Sequence, residues 1–441
     1  MSERSNKPSL KVLISGCGIA GPALAYWLSR SGHHVVVVER FSALRATGAQ
    51  VDLRGQGIEA AERMGLIDPI RSKRVDEAGV SFIDSRGRTG ATIMANRSGR
   101  GVQSLTSDYE IMRGDVVRIL HDATKDDVEY VFGTSVERFM QNGRKVLAQF
   151  SDGTSDTFDI LVGADGQGSR IRRDILPLDA PDPYLRMGIH MAYWFIPRTH
   201  ADDGNIRNTY LAPGGRMIMR RSHNPTETQV YFVLRETSEE ASAVHRASPE
   251  RQKEFWAKRF RDAGWQTDRF IDGMQTTPSF YSQEVVQVRT DTWHSGRVVL
   301  VGDAAHCASP FSGMGVSGAL VGAYVLAGEI NRDVENLPRA FERYDRTLRP
   351  FVNEIQNISP TLLRMGMPKT KFGVGLLLLL ARLASALRIP DLIARFKSHD
   401  RGGDWRLPEY PETTQSDPAL IELTRQELPL SERAPMIETK I

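Results

Sequence analysis

The residues best placed to do chemistry are Gly302 and Asp303, which stop the apolar run 298–301 and precede Pro310, Gly313 and Gly315. Four apolar residues in a row predict a buried strand. The small-residue run 316–327 predicts a helix packed close to its neighbours. A carboxylate at a strand end can accept hydrogen bonds from sugar-alcohol hydroxyls. The start of the helix offers unpaired N–H groups and the positive end of its dipole. Together these features suit a polyol-diphosphate ligand. An ordinary α/β turn needs neither the aspartate nor both glycines.

Two further constellations point the same way. Gly16-x-Gly18-x-x-Gly21 follows an apolar run at 11–15 and opens a helical pattern reaching Leu28. In such a loop the first glycine makes the tight turn, the second lets the backbone approach a pyrophosphate, and the third lets helix and sheet pack closely. The strand 34–38 ends at Glu39-Arg40, where a carboxylate can take both hydroxyls of an adenosine ribose. It would repel a 2′-phosphate, so FAD or NAD is expected there rather than NADP. Cys17 is read as a spacer. The third constellation is Gly163-Ala164-Asp165-Gly166, with Ser169, Arg170, Arg172 and Arg173 after it. A strand-end Asp-Gly again suits hydroxyl binding, and Arg170 and Arg173 also fit a solvated helix face.

The elements that must position these residues follow from pattern. The first glycine loop lies in a βαβ unit of about thirty residues. Between 128 and 166 alternating strands are joined by Asn142-Gly143 and Asp152-Gly153, both hairpin signals. Residues 193–196, 216–220 and 229–234 read as strands rich in aromatics and methionine, and Ser248-Pro249-Glu250 starts a helix. A long helix is expected from 338 to about 358. The tail beyond 398 is rich in Pro, Glu and Thr and reads as irregular. The 441 residues predict two or three domains. The 57 Lys and Arg against 54 Asp and Glu give a net charge of +3, so no basic field argues for nucleic acid. Two distant cysteines and a short polar N-terminus predict a reduced, cytoplasmic protein with no secretory signal and no metal site.

The three motifs, in this order and at these separations, resemble the FAD-dependent aromatic monooxygenases of the p-hydroxybenzoate hydroxylase fold over residues 9–360. Within that family the chain is most similar to tetracycline-inactivating monooxygenases and polyketide hydroxylases. The resemblance implies an α/β fold: a Rossmann-type FAD-binding domain, an inserted mixed or antiparallel-sheet substrate domain, and a C-terminal helical tail. Residues 9–77, 106–175 and 285–360 would bind FAD, 78–105 and 176–284 would form the substrate domain, and 361–441 the tail. Gly48-Ala49-Gln50-Val51-Asp52-Leu53 and Ile111-Met112-Arg113-Gly114-Asp115 resemble the family's other FAD-contacting segments. By resemblance Glu39 holds the ribose, Arg113 contacts FAD and Asp303 binds its ribityl-pyrophosphate portion. By the same resemblance Asp165-Gly166 would serve both FAD and the NADPH donor; the chain has no second dinucleotide motif, an absence the family shares because its nicotinamide nucleotide docks transiently.

The implied reaction consumes NADPH and O₂ and hydroxylates a hydrophobic aromatic or polyketide-like compound through a C4a-hydroperoxyflavin, in secondary metabolism. Catalysis would be by the flavin, with no side-chain catalyst. Pro310 and Phe311 would lie near the flavin ring, and His190, Arg216, Met219 and Tyr231 on the inserted strands are candidate substrate contacts. His306 is expected to make a structural hydrogen bond. Alternatives on the same fold are an epoxidase or Baeyer–Villiger oxygenase, a reductase, or a non-enzymatic FAD-fold protein. Residues 372–381 are intensely apolar, but Arg382 interrupts them at about half the length of a membrane span. A helix packed on the protein body or on a partner is expected over 372–396, in preference to an interfacial membrane contact.

Overall fold

The computed structural model describes residues 8–94, 109–199, 203–222, 224–387 and 403–411. The valine-rich runs read as buried strands form a six-stranded sheet. Its order is His294–Ser295, Val298–Leu300, Ile160–Gly163, Lys11–Ser15, His34–Glu39 and Glu129–Phe132. All pair in parallel except His294–Ser295, and Leu13 lies between Leu161 and Val36 in register. Such strands are buried on both faces, which is why they read as continuous apolar runs. The helices Ala20–Arg30 and Gly315–Arg332 pack on each other and on this sheet. The helix Leu337–Ile355 covers the second of them, ending three residues before the expected end. Asn142-Gly143 and Asp152-Gly153 turn a three-stranded meander, Val136–Gln141, Val146–Phe150 and Ser155–Phe158, both glycines having positive φ.

A second sheet has seven strands: Tyr281–Val288, Tyr184–Pro197, Glu227–Arg235, Arg216–Ser222, Ile206–Ala212, Gly79–Ile83 and Thr89–Met94. It is antiparallel except where Gly79–Ile83 runs parallel to Ile206–Ala212, so segments far apart in sequence share one sheet. Residues 95–105, assigned to the same domain from sequence, lie outside the described residues. Both faces of this sheet are covered. One carries Trp194, Ile218 and Phe232 against Trp256, Phe260 and Phe270 of the helices Pro249–Phe260 and Thr267–Thr276. The opposite face carries Met187, Ile189, Met191, Tyr193, Tyr231 and Val233.

A two-stranded ribbon, Gln50–Asp52 with Glu110–Met112, joins the two bodies. Beside it Arg221 from the seven-stranded sheet donates to Glu77 at 2.9 Å and also to Glu110, all three being buried. The helices Pro360–Met365 and Lys371–Ala386 follow, the second packing on Thr89–Met94 and Ile206–Ala212. Residues 403–411 return to the body built on the six-stranded sheet. There Trp405 Nε1 donates to the Thr347 carbonyl, Tyr410 donates to Glu329, and Arg63 donates to the Pro408 carbonyl. No helix among the described residues is long and apolar enough to cross a membrane.

Candidate functional site

Sterics identify which glycines the loops require. Gly16 has φ +116°, and a Cβ there would lie 2.5 Å from the Ala164 carbonyl oxygen. At Gly21 it would lie 2.1 Å from the Gly16 oxygen, and at Gly302 (φ +63°) 2.7 Å from the Ala20 methyl. These contacts clamp the first glycine loop between Asp165 and Gly302, so the three motifs converge although they lie far apart in sequence. Gly18, Gly166 and Gly315 have no such contact. A Cβ on Gly18 would touch only the Arg113 guanidinium, at 3.6 Å, and at Gly166 or Gly315 it would meet nothing within 4 Å. They present open backbone to a shared cleft, as a ligand approached by main-chain N–H groups requires.

The carboxylates around this cleft have unused hydrogen-bonding capacity. Glu39 accepts from the N–H groups of Cys17 (2.9 Å) and Phe41 (3.1 Å), leaving lone pairs for a diol. Arg40 points outward over the Phe41 ring. Asp165 uses one oxygen to accept from the N–H of Arg170 at 2.8 Å, while its other oxygen is buried without a partner. Asp52 is alike: one oxygen accepts from Arg54 at 3.2 Å and the other is buried and unmatched. A Cβ on Gly313 (φ +66°) would sit 3.5 Å from Asp52, which places the ribbon against the loop before Gly315. Both polar atoms of the buried Gln50 carboxamide also lack partners. Each such atom costs about 1–3 kcal/mol. Such unmatched atoms on Asp165 and on the ribbon fit a polar ligand that completes the site.

Charge is tuned locally. Asp303 opens onto the cleft but is walled in by protein, and this desolvation raises its carboxyl above the usual range against the pull of Arg113 and Arg172. Arg113 packs across Gly48 and donates to the Thr47 carbonyl at 3.1 Å. Arg172 is fully buried and structural: it donates to the carbonyls of Ala304 (2.8 Å) and Gln167 (2.6 Å), joining two motifs, whereas Arg170 and Arg173 are exposed. Burial and the Glu39 carboxylate push the Cys17 thiol up to about 12, so it is an inert spacer. His306 lies in the core against Trp293, and burial lowers its pKa to about 4. Its Nε2 has no partner, so the expected structural hydrogen bond is not made by that nitrogen.

The helix Gly315–Arg332 begins where its sequence predicts, with Gly315 exposed at its start. Ser317 in its first turn accepts from the Arg54 N–H (2.9 Å) and donates to the Arg54 carbonyl (3.0 Å), fixing the helix end to the ribbon. Pro310 is exposed, and Phe311 packs on the inner face of the seven-stranded sheet.

The four strand candidates divide between the two faces. Met219 and Tyr231 belong to the inner cluster, with Met217, Ala49 and Phe311. His190 and Arg216 are turned away from it. His190 is fully buried, its Nδ1 2.8 Å from His245 Nε2 and its Nε2 3.0 Å from the Glu236 carbonyl. Arg216 is paired with Asp262 at 2.6 Å behind the sheet. The structure therefore corrects the placement of both. The residues that sequence reasoning missed are Tyr193 and Tyr281, which stand side by side with Tyr231 in register, ring centroids 5.1–5.7 Å apart. Gln50 stands out in sequence only as part of the segment 48–53.

Comparison with known proteins agrees with this architecture. The family described as FAD binding domain matches residues 9–356. FAD-dependent monooxygenase asL4 of Sarocladium schorii is 38% identical over 92% of this chain and 99% of its own length. Flavin-dependent monooxygenase eupH of a Phoma species is 39% identical over 91% of this chain and 98% of its own. Among solved structures, tetracycline destructase Tet(51) superposes with a TM-score of 0.74 at 32% identity, covering 92% of this chain and all of that one. The chain belongs to the FAD-dependent monooxygenases.

Proposed function

We propose that this flavoprotein is a single-component monooxygenase that consumes NADPH and O₂ to hydroxylate a hydrophobic aromatic or polyketide-like compound in secondary metabolism. The observation that carries the substrate class is the inner face of the seven-stranded sheet. Its methionines and its row of three tyrosines meet Phe311, four residues before the open helix start at Gly315. Such a wall offers flat, polarizable contacts, as an aromatic ligand needs, with the Arg45 guanidinium 5.7 Å from the Tyr281 ring centroid. The likeness to Tet(51), a tetracycline destructase, supports this reading.

FAD, when bound, supplies the redox and oxygen chemistry. The chain's own residues bind, orient and exclude water. Glu39 would take the adenosine ribose hydroxyls, and Gly16 and Gly18 the adjacent diphosphate. Arg113, Asp165, Gly166 and Asp303 would hold the remaining polyol-diphosphate. The N–H groups at Gly315 and the helix dipole favour negative charge by about 0.3–2 kcal/mol, which suits an anionic reduced ring. Asp52 and Gln50 offer further unmatched polar atoms from the ribbon Gln50–Asp52. Phe311 and the tyrosine row would exclude water from a substrate bound against them.

The test is to purify the protein with FAD and follow NADPH and O₂ consumption with candidate phenols and polyketides. Matched, substrate-stimulated consumption of both with a product gaining one oxygen is expected. NADPH oxidation without oxygen uptake would overturn the oxygenase reading in favour of a reductase.

A further inference from the structure

The helix Lys371–Ala386 packs on the sheet edge through Val374, Leu377, Leu378 and Ala381, spaced as one helical stripe. That stripe leaves most of its apolar residues outside. Phe372, Leu376, Leu379, Leu380, Leu383 and Leu387 are each between 45% and 80% exposed. Their spacing of four, three, one, three and four residues makes a second face about 22 Å long at 1.5 Å per residue. Leu362 and Met365, on the short helix before it, are also more than 60% exposed. A patch of this kind on a soluble body marks an interaction surface.

Charge selects the partner. From residue 355 to 390 the sequence has no Asp or Glu, while Arg364, Lys369, Lys371 and Arg382 are all exposed around the patch. The acid beside Arg382 is Asp84, whose carboxylate is already held by Arg88 at 2.7 Å. Two copies of the chain meeting through this face would bring like charges together. An anionic lipid surface complements both features at once: acyl chains receive the leucines and headgroups receive the cations. The helix is too short to span a bilayer but suited to lie in its surface.

We propose that this face docks the protein peripherally on an anionic bilayer, with the helix Lys371–Ala386 lying in the interface plane. The neighbouring helix Pro360–Met365 places Leu363 in the inner cluster while exposing Leu362 and Met365. The apolar wall proposed for the substrate therefore adjoins the docking face.

The test uses the full-length, FAD-loaded protein and vesicle sedimentation with phosphatidylcholine alone or mixed with phosphatidylserine. Binding to the mixed vesicles at low salt, lost at high salt, is expected. Leu379→Glu with Leu383→Glu should weaken it by at least about tenfold. Lys369→Gln and Lys371→Gln should each weaken it roughly fivefold. FAD content and NADPH oxidation should be unchanged in all of these variants. Absence of wild-type binding to the anionic vesicles would overturn the proposal, as would binding that the paired glutamates leave intact. A concentration-dependent dimer, dissolved by the same pair, without vesicle binding would assign the face to a second copy instead.

Discussion

Gly18 and Gly21 lie three residues apart in one loop, and the structure gives them opposite jobs. At Gly21 a Cβ would lie 2.1 Å from the Gly16 oxygen and 3.3 Å from Ile14, so alanine there must displace backbone. Overpacking of this sort costs about 1–3 kcal/mol, and a rigid main-chain neighbour puts it at the upper end. At Gly18 the new methyl would touch only the mobile end of Arg113 at 3.6 Å. The apoprotein should therefore stay within about 1 kcal/mol of wild type, with a small gain available from the stiffer unfolded chain. What Gly18→Ala should lose is close approach of the diphosphate. Losing one charge-assisted hydrogen bond of about 1.5–3 kcal/mol weakens FAD binding about 10- to 100-fold. Urea unfolding of FAD-stripped protein and titration of flavin fluorescence measure the two quantities separately. Wild-type FAD affinity in Gly18→Ala, or equal loss of apoprotein stability in both variants, would refute the division.

The aspartates should differ in sign. Asp165→Ala removes the acceptor for the Arg170 N–H as well as a cofactor contact, so apoprotein stability should fall by about 1 kcal/mol along with FAD retention. Asp303→Ala removes a desolvated carboxylate, so apoprotein stability should hold or rise while FAD retention falls; urea midpoints and flavin content check both. His306 and His245 each have pKa values lowered to about 4, chiefly by burial. Below pH 6.5 the unfolded chain takes up protons that the folded chain refuses, so their contribution is complete above 6.5 and lost as pH falls toward 4. For the buried His306 this is about 2 kcal/mol between pH 6.5 and 5, measurable by urea unfolding, and it should vanish in His306→Phe. Arg221→Met leaves Glu110 buried without its cation and Glu77 with only Arg207 at 4.0 Å, and should cost about 3–5 kcal/mol, read from the same denaturation curves.

The cofactor half was legible because its constraints are local. Gly16, Gly21 and Gly302 each answer a steric demand set by nearby chain geometry, and Glu39, Asp165 and Asp303 each end a strand that its valines announce. The roof was not legible in the same way. Alternation shows inside from outside only when one face is wet, and both faces of the strand Tyr184–Pro197 are apolar. Polar residues on it therefore look like site candidates whichever way they point. A register shift between Arg186 and His190, with Gly188 at φ +64°, further hides the phase that sends His190 toward His245. Arg216 looks free in sequence because Asp262, its partner, lies far along the chain in the turn after the helix Pro249–Phe260. Gln50 carried no signal of its own: an unmatched carboxamide is visible only after its surroundings are built.

The return of residues 403–411 changes what kind of object the C-terminal region is. Tyr410 fits over Gly328 so closely that a Cβ there would lie 2.2 Å from its ring, and Trp405 and Pro408 are hydrogen-bonded nearby. The apolar helix is thus bracketed by two attachments to the same body, one through the helix Leu337–Ile355 before it and one through this strap after it. A free tail would wander on its leash and allow the body any attitude. A segment fastened at both ends behaves like a handle: whatever grips it also sets the orientation of the cofactor-binding body behind it. Cutting the chain just before residue 403 would uncover Gly328 and leave the helix held only by its packing on the sheet and by the chain before it, so stability should fall and the grip on orientation should loosen by one cut.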